Sequence, residues 1–183
     1  RDDRASGCIS SQVGCAMGCV FCASGVTGLT RHLQPEEIVG QVLEGRARLD
    51  AGEQLRNVVF MGMGEPLHNY EATATALRVL LRDDGIGLSS RRVTVSTSGL
   101  VPGIDRLGVE FGGQVTLAIS LHATTDEQRS TLMPINHKYP IAALLDARRI
   151  HGGNHTLLED VRRKPLSYNG LIAQTLVLGQ KLA

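Results

Sequence analysis

Tryptophan is absent, and aromatic residues make up 3% of the 183-residue chain, so this segment has no supply of rings on which to stack a row of bases. No apolar run approaches the ~18 residues that a membrane-spanning helix needs. The chain also opens without the basic and apolar regions of a secretion signal. Neither sign of charge prevails: 19 Lys and Arg stand against 18 Asp and Glu, for a formal charge of +1. Bulk electrostatics therefore does not announce a polyanionic partner. Arg91-Arg92 and His137-Lys138 are local hints of a phosphate-facing surface, with solvated surface charge as the plainer reading. Cysteine is missing from everything after Cys22, and all four cysteines fall within residues 8 to 22. That excludes a disulfide framework spread through the fold and points to a cofactor site in a reducing compartment. The first residue is arginine, not methionine, and the chain reads as an internal fragment or a processed product. Its length suffices for one domain with a real core.

What is present is a cysteine motif. Cys15, Cys19 and Cys22 stand as C-x3-C-x2-C within GCAMGCVFC. Structural zinc wants four ligands in a closed tetrahedron, whereas cubane iron–sulfur clusters are held by cysteine thiolates. Three thiolates suit a cubane better than zinc, and they leave one iron open to bind something else. Cys8, seven residues before Cys15, keeps three readings. It is a fourth metal ligand, a reactive free thiol near the cofactor, or a small buried hydrophobe. Met17 and Met63 read as packing residues.

Helical and strand signals alternate. Cys8 to Val13 reads as a short extended segment, followed by the Gly- and Ser-rich cysteine loop. Gln34-Pro35-Glu36-Glu37 predicts a helix start, with Pro early and acids in the first turn. Ile38, Val39, Val42, Leu43 and Leu49 follow at helical spacing. Asn57 to Met61 is a compact apolar run, read as a buried strand that ends in Gly62-Met63-Gly64-Glu65-Pro66. A second helix is predicted over Tyr70 to Arg82, with Ala72, Ala76, Leu77 and Leu80 on one side. Strands are predicted over Arg92 to Ser96, before the turn Thr97-Ser98-Gly99, and over Val115 to Leu121. Helical pieces are predicted over Asp126 to Leu132 and Ile141 to Ile150, separated by a loop from Pro134 to Pro140. This βαβα order predicts an α/β domain with a parallel sheet and right-handed crossovers. After about Ile150 the periodicity fails, and only Thr175 to Leu178 reads as a short strand or helix end.

Polar groups gather after the ends of the apolar strands, where parallel α/β folds bind ligands. Gly62 to Glu65, Ser96 to Ser98 and Ser120 to His122 hold such positions, and with the cysteine loop they predict one mouth. Each has a plainer alternative. Gly62 and Gly64 serve a tight turn, or let the backbone approach a ligand while Glu65 accepts hydrogen bonds from an ammonium. Ser96 and Ser98 close their turn through local hydrogen bonds, or face a ligand. His122 is a satisfied structural histidine, or a ligand-facing one.

The strings CISSQVGCAMGCVFCASG, NVVFMGMGEPLHN, RRVTVSTSG and AISLHA followed by RSTLMPIN resemble the radical-SAM adenine methyltransferases of the RlmN/Cfr group. The likeness covers roughly residues 7 to 150. GEPL and STSG are more similar to the adenine-C2 enzymes than to the C8-methylating resistance relatives. The resemblance implies a partial (β/α)6, TIM-like radical-SAM barrel over residues 1–150, with a non-matching tail over 151–183 left by a frameshift or truncation. It implies that Cys15, Cys19 and Cys22 ligate a [4Fe-4S] cluster whose open iron chelates S-adenosylmethionine. One electron from the cluster then breaks the sulfonium C–S bond to give a 5′-deoxyadenosyl radical. Gly64 and Glu65 match the family's contact with the methionine amino group, and Ser96, Ser120, Leu121 and His122 match further positions that hold the cofactor. Cys8 matches the thiol that forms a disulfide with a methyl-carrying cysteine and frees the product.

The implied reaction is methylation of carbon 2 of an adenosine in 23S ribosomal RNA and in transfer RNA. That carbon is electron-poor and does not attack a methyl sulfonium as a nucleophile, hence the radical route. The resemblance further implies an electron donor such as flavodoxin, no membrane partner, a monomeric chain and a cytoplasmic setting. Three family features have no counterpart in these residues. They are the methyl-carrying cysteine near the C-terminus, an asparagine that completes the cofactor site, and an N-terminal RNA-facing domain with its proton-accepting glutamate. The expectation is that the cluster assembles but that these 183 residues alone do not complete methyl transfer. Two other readings stay open: a non-catalytic zinc module using Cys8, Cys15, Cys19 and Cys22, and a radical-SAM enzyme with another substrate.

Overall fold

In the computed structural model the described residues are 3–147, together with the backbone of two short strands further on. The strands are β1 (Arg4–Cys8), β2 (Gln12–Gly14), β3 (Leu29–His32), β4 (Gln54–Phe60), β5 (Val93–Thr97) and β6 (Thr116–Ile119). The helices are α1 (Ala23–Val26), α2 (Pro35–Ala47), α3 (Tyr70–Leu81), α4 (Val101–Phe111), α5 (Asp126–Leu132) and α6 (Ile141–Ala147). The two distal strands, β7 (Thr156–Leu158) and β8 (Leu166–Ser167), pair antiparallel.

Four strands form the scaffold, in the order β1-β4-β5-β6, and every pairing among them is parallel. Parallel neighbours need long crossovers, and α2, α3 and α4 fall between successive strands of the sheet. The centre of the sheet is apolar because it is covered: Val58, Phe60, Val93 and Val95 are buried, as are Ile38 and Val42 of α2, Leu77 and Leu80 of α3, and Ile104 and Leu107 of α4. The predicted α/β class and parallel sheet are thus borne out. All four strands run the same way, so their carboxyl ends, and the loops that follow, lie on one side.

The start of α2 follows the expected chemistry and adds to it. Pro35 opens the helix, and Gln34 and Glu37 form a reciprocal capping box. Glu37 also receives both guanidinium nitrogens of Arg31, at 2.7 and 2.8 Å. This pairing and the helix cap hold its carboxyl down at about 2.

Four readings need correction. The segment Cys8 to Val13 is not one extended piece: β1 ends at Cys8, and β2 begins at Gln12 to pair antiparallel with β3, which the sequence did not announce. Helix α4 was also unforeseen. Pro102, Gly103 and Gly108 mask its periodicity, yet Pro sits in its first turn, Ile104, Leu107 and Phe111 are buried, and Gly112 caps it in the left-handed conformation. Leu43 shares the helical spacing of α2 but is 53% exposed, because the helix buries a stripe of Ile38 and Val42 only. Met63 is not a packing residue: it is exposed, and its sulfur accepts the Gly14 N–H at 2.9 Å. Of the helix read over Ile141 to Ile150, residues 148–150 lie outside the described residues, as do Thr175 to Leu178.

The seam between α3 and the sheet sets the stability of the scaffold. Leu77 has no exposed surface, so Leu77→Ala removes buried methyl groups and leaves a cavity. The expected loss is about 2–5 kcal/mol, measured as a lower urea midpoint at unchanged slope. By contrast, Arg48–Glu44 is an exposed pair, and breaking it is expected to change stability by less than about 1 kcal/mol.

Candidate active site

One cavity of about 300 Å³ opens at the carboxyl ends of the strands. Its wall includes Cys15, Cys19 and Cys22 from the loop between β2 and β3, Gly62, Gly64 and Glu65 after β4, Ser96 and Ser98 at the end of β5, and Ser120 and His122 after β6. The four segments that the sequence placed at one mouth do meet there. Two candidates do not line it. Leu121 turns a carbonyl to the guanidinium of Arg129, at 3.2 Å from Nε. Cys8 is exposed at the end of β1 and is not among the lining residues. All four cysteines are free thiols, so the disulfide expected of Cys8 is not formed. The partner expected for it is not one of these four.

The β4–α3 loop builds the floor. Gly64 has φ of +106°, and a Cβ there would stand 2.6 Å from Gln12 Cβ and 2.8 Å from Gln12 N. Only glycine lets the loop lie this close to β2. Gln12, itself buried, accepts the Glu65 N–H on Oε1 at 2.8 Å and turns its amide nitrogen to Nδ1 of both His32 and His68, at 3.0 and 3.2 Å. Burial, and then the neighbouring His68, push the His32 ring below its ordinary range, so it stays neutral.

Glu65 is the buried carboxylate of the site. Its Oε2 accepts the Ser98 N–H at 2.7 Å and the Ser98 hydroxyl at 2.8 Å, while Oε1 accepts the Leu67 N–H at 3.1 Å. Burial raises its pKa, and these hydrogen bonds oppose the rise. A buried carboxyl held by hydrogen-bond donors in this way can accept a further donor, such as a ligand's amino group, which would favour its charged form.

The thiols have a matching environment. Burial raises Cys15 and Cys19 above the usual thiol range, and the neighbouring thiols and Glu65 add to the rise. Such thiols ionise on binding metal, which releases their protons. Among the described residues, no group of three His, Cys, Asp or Glu side chains is gathered tightly enough for a single ion. A tetrahedral zinc site with Zn–S of about 2.3 Å would need its sulfurs within about 3.8 Å of each other. A cubane binds its ligands at separate corners and spreads them wider. Three thiols on one cavity wall, beside a carboxylate, therefore fit a cluster with an open iron, and the exposed Cys8 leaves a four-thiol zinc site without its fourth member.

The rim carries features the sequence reading passed over. His122 has φ of +58°, uncommon outside glycine, and its ring lies 4.6 Å from that of Phe21. Phe21, Met17 and Met133 complete the apolar lining. Nothing in their spacing marked them; their place follows from the path of the cysteine loop across the strand ends.

A family profile, that of the Radical SAM superfamily, matches residues 9–155. The chain belongs to this superfamily. Within it, 148 residues are 70% identical to the dual-specificity RNA methyltransferase RlmN of Sorangium cellulosum, covering 81% of this chain and 38% of that protein. RlmN 1 of Myxococcus xanthus is 54% identical over 149 residues, covering 81% of this chain and 41% of its own. The crystal structure of a radical SAM methyltransferase from Sphaerobacter thermophilus superposes with a TM-score of 0.78 at 53% identity, over 83% of this chain and 45% of that one. The resemblance to RlmN-type radical SAM methyltransferases and the partial TIM-like barrel are thereby borne out. The chain spans about 40% of the length of these curated relatives. Among the described residues no helix is long and apolar enough to cross a membrane.

Proposed function

We propose that these residues form the cofactor-binding half of a radical SAM enzyme that methylates carbon 2 of adenosine in 23S ribosomal RNA and transfer RNA. One observation carries the reading: three thiols and a buried carboxylate face a single cavity. Cys15, Cys19 and Cys22 would hold a [4Fe-4S] cluster, leaving one iron for S-adenosylmethionine. Bound together, the two groups supply one-electron cleavage of a sulfonium C–S bond. The residues around them bind and shield. Glu65 meets the amino group of the methionine moiety, Gly64 lets the backbone come close to it, and Ser96, Ser120 and His122 border the rest of the ligand. Phe21, Met17 and Met133 keep water from the reacting bond. Cys8 would act later, as the thiol that releases product from a methyl-carrying cysteine. No cysteine follows Cys22 in these residues, so the reading assigns them the binding and cleavage steps. Residues 1–150 would form the catalytic core, an electron donor such as flavodoxin would feed it, and the setting would be cytoplasmic and monomeric.

Equilibrium dialysis of the anaerobically reconstituted protein against S-adenosylmethionine tests this. Glu65 has a raised pKa in the free protein, and its carboxylate accepts the hydrogens of an amino group where the neutral acid does so weakly. Affinity should therefore climb as pH rises through the range where Glu65 loses its proton. Glu65→Gln should weaken binding at least tenfold and flatten the acid limb. Absence of saturable binding to a protein that holds its cluster would sink the proposal, and one zinc per chain in place of iron and sulfide would favour the metal-module reading.

A further inference from the structure

Arg129 is the largest fully buried side chain of the described residues, and the steps above do not use it. It rises from α5 into the ends of β5 and β6. Nη2 donates to the Ser98 carbonyl at 2.5 Å and to the Ser120 carbonyl at 3.2 Å, Nε to the Leu121 carbonyl at 3.2 Å, and Nη1 to Oδ1 of Asn136 at 2.7 Å. Each of these acceptors is neutral. Asn136, itself buried, passes the contact on by donating from Nδ2 to the Asp126 carboxylate at 3.0 Å and to the Ser130 hydroxyl at 2.9 Å.

Burying a guanidinium in this way is costly, since the desolvation of a charge is repaid only by close, well-directed partners. A methionine or leucine would fill the space without that cost. What the guanidinium does that they cannot is satisfy the Ser98 and Ser120 carbonyls, just where β5 and β6 have stopped pairing, and share the Leu121 carbonyl, which also takes the Ala123 N–H at 2.8 Å. The first of them belongs to Ser98, whose N–H and hydroxyl both hold Glu65. The other two belong to the segment that leads into the strained His122. One planar, rigid donor fork thus spans both strand ends that face the cavity.

We propose that Arg129 is a positioning residue: it fixes Ser98 and Ser120-Leu121 so that the Glu65 carboxylate is aimed, before any ligand arrives, at the amino group of an α-amino acid moiety. The ligand part of this rests on the function proposed above; the positioning part does not.

Arg129→Lys, in the reconstituted 183-residue protein, separates the fork from the charge. Lysine keeps the charge but offers one nitrogen on a shorter stem, in place of the three that bind the Ser98 and Ser120 carbonyls, the Leu121 carbonyl and Asn136. Two quantities are read at matched iron content: amide hydrogen exchange at Ser98 and affinity for S-adenosylmethionine. Expected are at least tenfold faster exchange at Ser98, with the amides of β4 and β5 still protected, and at least tenfold weaker binding. A merely structural role would speed exchange throughout the sheet, or change only the melting temperature, and either result overturns the proposal. So does Ser98 exchange at the wild-type rate. If the parent protein binds no S-adenosylmethionine, the functional reading falls, while the Ser98 exchange still decides the role of Arg129. Should Arg129→Lys not fold, Asn136→Leu withdraws one acceptor and leaves the arginine in place. Faster exchange confined to Ser98 and Ser120 in that variant supports the proposal, and unchanged exchange there overturns it.

Discussion

The Cys19→Ala variant is expected to hold no cubane after anaerobic reconstitution, with bound iron falling from about four atoms per chain to less than about one. Cys19 is buried beside Cys15, and its thiol is raised first by burial and then by Cys15, Cys22 and Glu65. Arg129 opposes that rise, and metal binding would ionise the thiol outright. Removing it leaves two ligands on the wall and two open irons. Cys8→Ala is the companion measurement. Because Cys8 is exposed and off the cavity wall, its loss should leave iron and sulfide at the parent level. Iron retained by Cys19→Ala, or lost from Cys8→Ala, would contradict the assignment of ligands. A pH dependence should accompany the parent's assembly. Cys15 and Cys19 have raised pKa values and must shed protons to bind, so reconstitution should be more complete at higher pH.

A Gly64→Ala substitution is expected to cost the fold about 2–6 kcal/mol. Alanine is strained at φ of +106°, at about 1–3 kcal/mol. Its methyl would also sit 2.6 Å from Gln12 Cβ and 2.8 Å from Gln12 N, so β2 or the loop must yield, for roughly another 1–3 kcal/mol. A domain of this kind is stable by only about 5–15 kcal/mol, so the urea midpoint should drop by a large fraction. Gly40→Ala supplies the opposite sign. Gly40 lies inside α2 with nothing within 4 Å of an added Cβ, and alanine there should stabilise by about 0.5–1 kcal/mol. Equal midpoints for the two variants would refute the packing argument.

The loops that line the cavity were legible because each announces itself chemically. An apolar run such as Asn57 to Phe60 predicts a buried strand, and glycines with a carboxylate after it predict an approachable loop. The start of α2 was legible in the same way, through Pro35 and the acids that follow it. What escaped depends on tertiary placement. Leu29 to His32 is too short and too polar to announce a strand, and it pairs because the cysteine loop returns it to Gln12–Gly14. Arg129 lies in a string that reads as a short polar helix, where an arginine is ordinarily solvated. Only the meeting of two strand ends with α5 buries it. Cys8 shows the converse: its sequence neighbourhood resembles the family's closely, yet the fold leaves it exposed and off the cavity wall that carries the other three thiols.

The crossing of Gly14 and Gly28 has a bearing on how the cysteine loop could be filled. The Cys15 N–H donates to the Gly28 carbonyl at 3.0 Å, and a Cβ on Gly14 would come within 1.9 Å of that same oxygen. The loop is thus pinched shut at its neck, while its outer arc is bare, with Val20 60% and Val26 76% exposed. Closing a loop of this size is an entropic cost met once, when the chain folds. Inorganic iron and sulfide arriving afterwards would find the base of the loop, and the two strands that feed it, already in registry, with the arc tied to the end of α5 through the Val20 N–H and the Leu132 carbonyl at 3.1 Å.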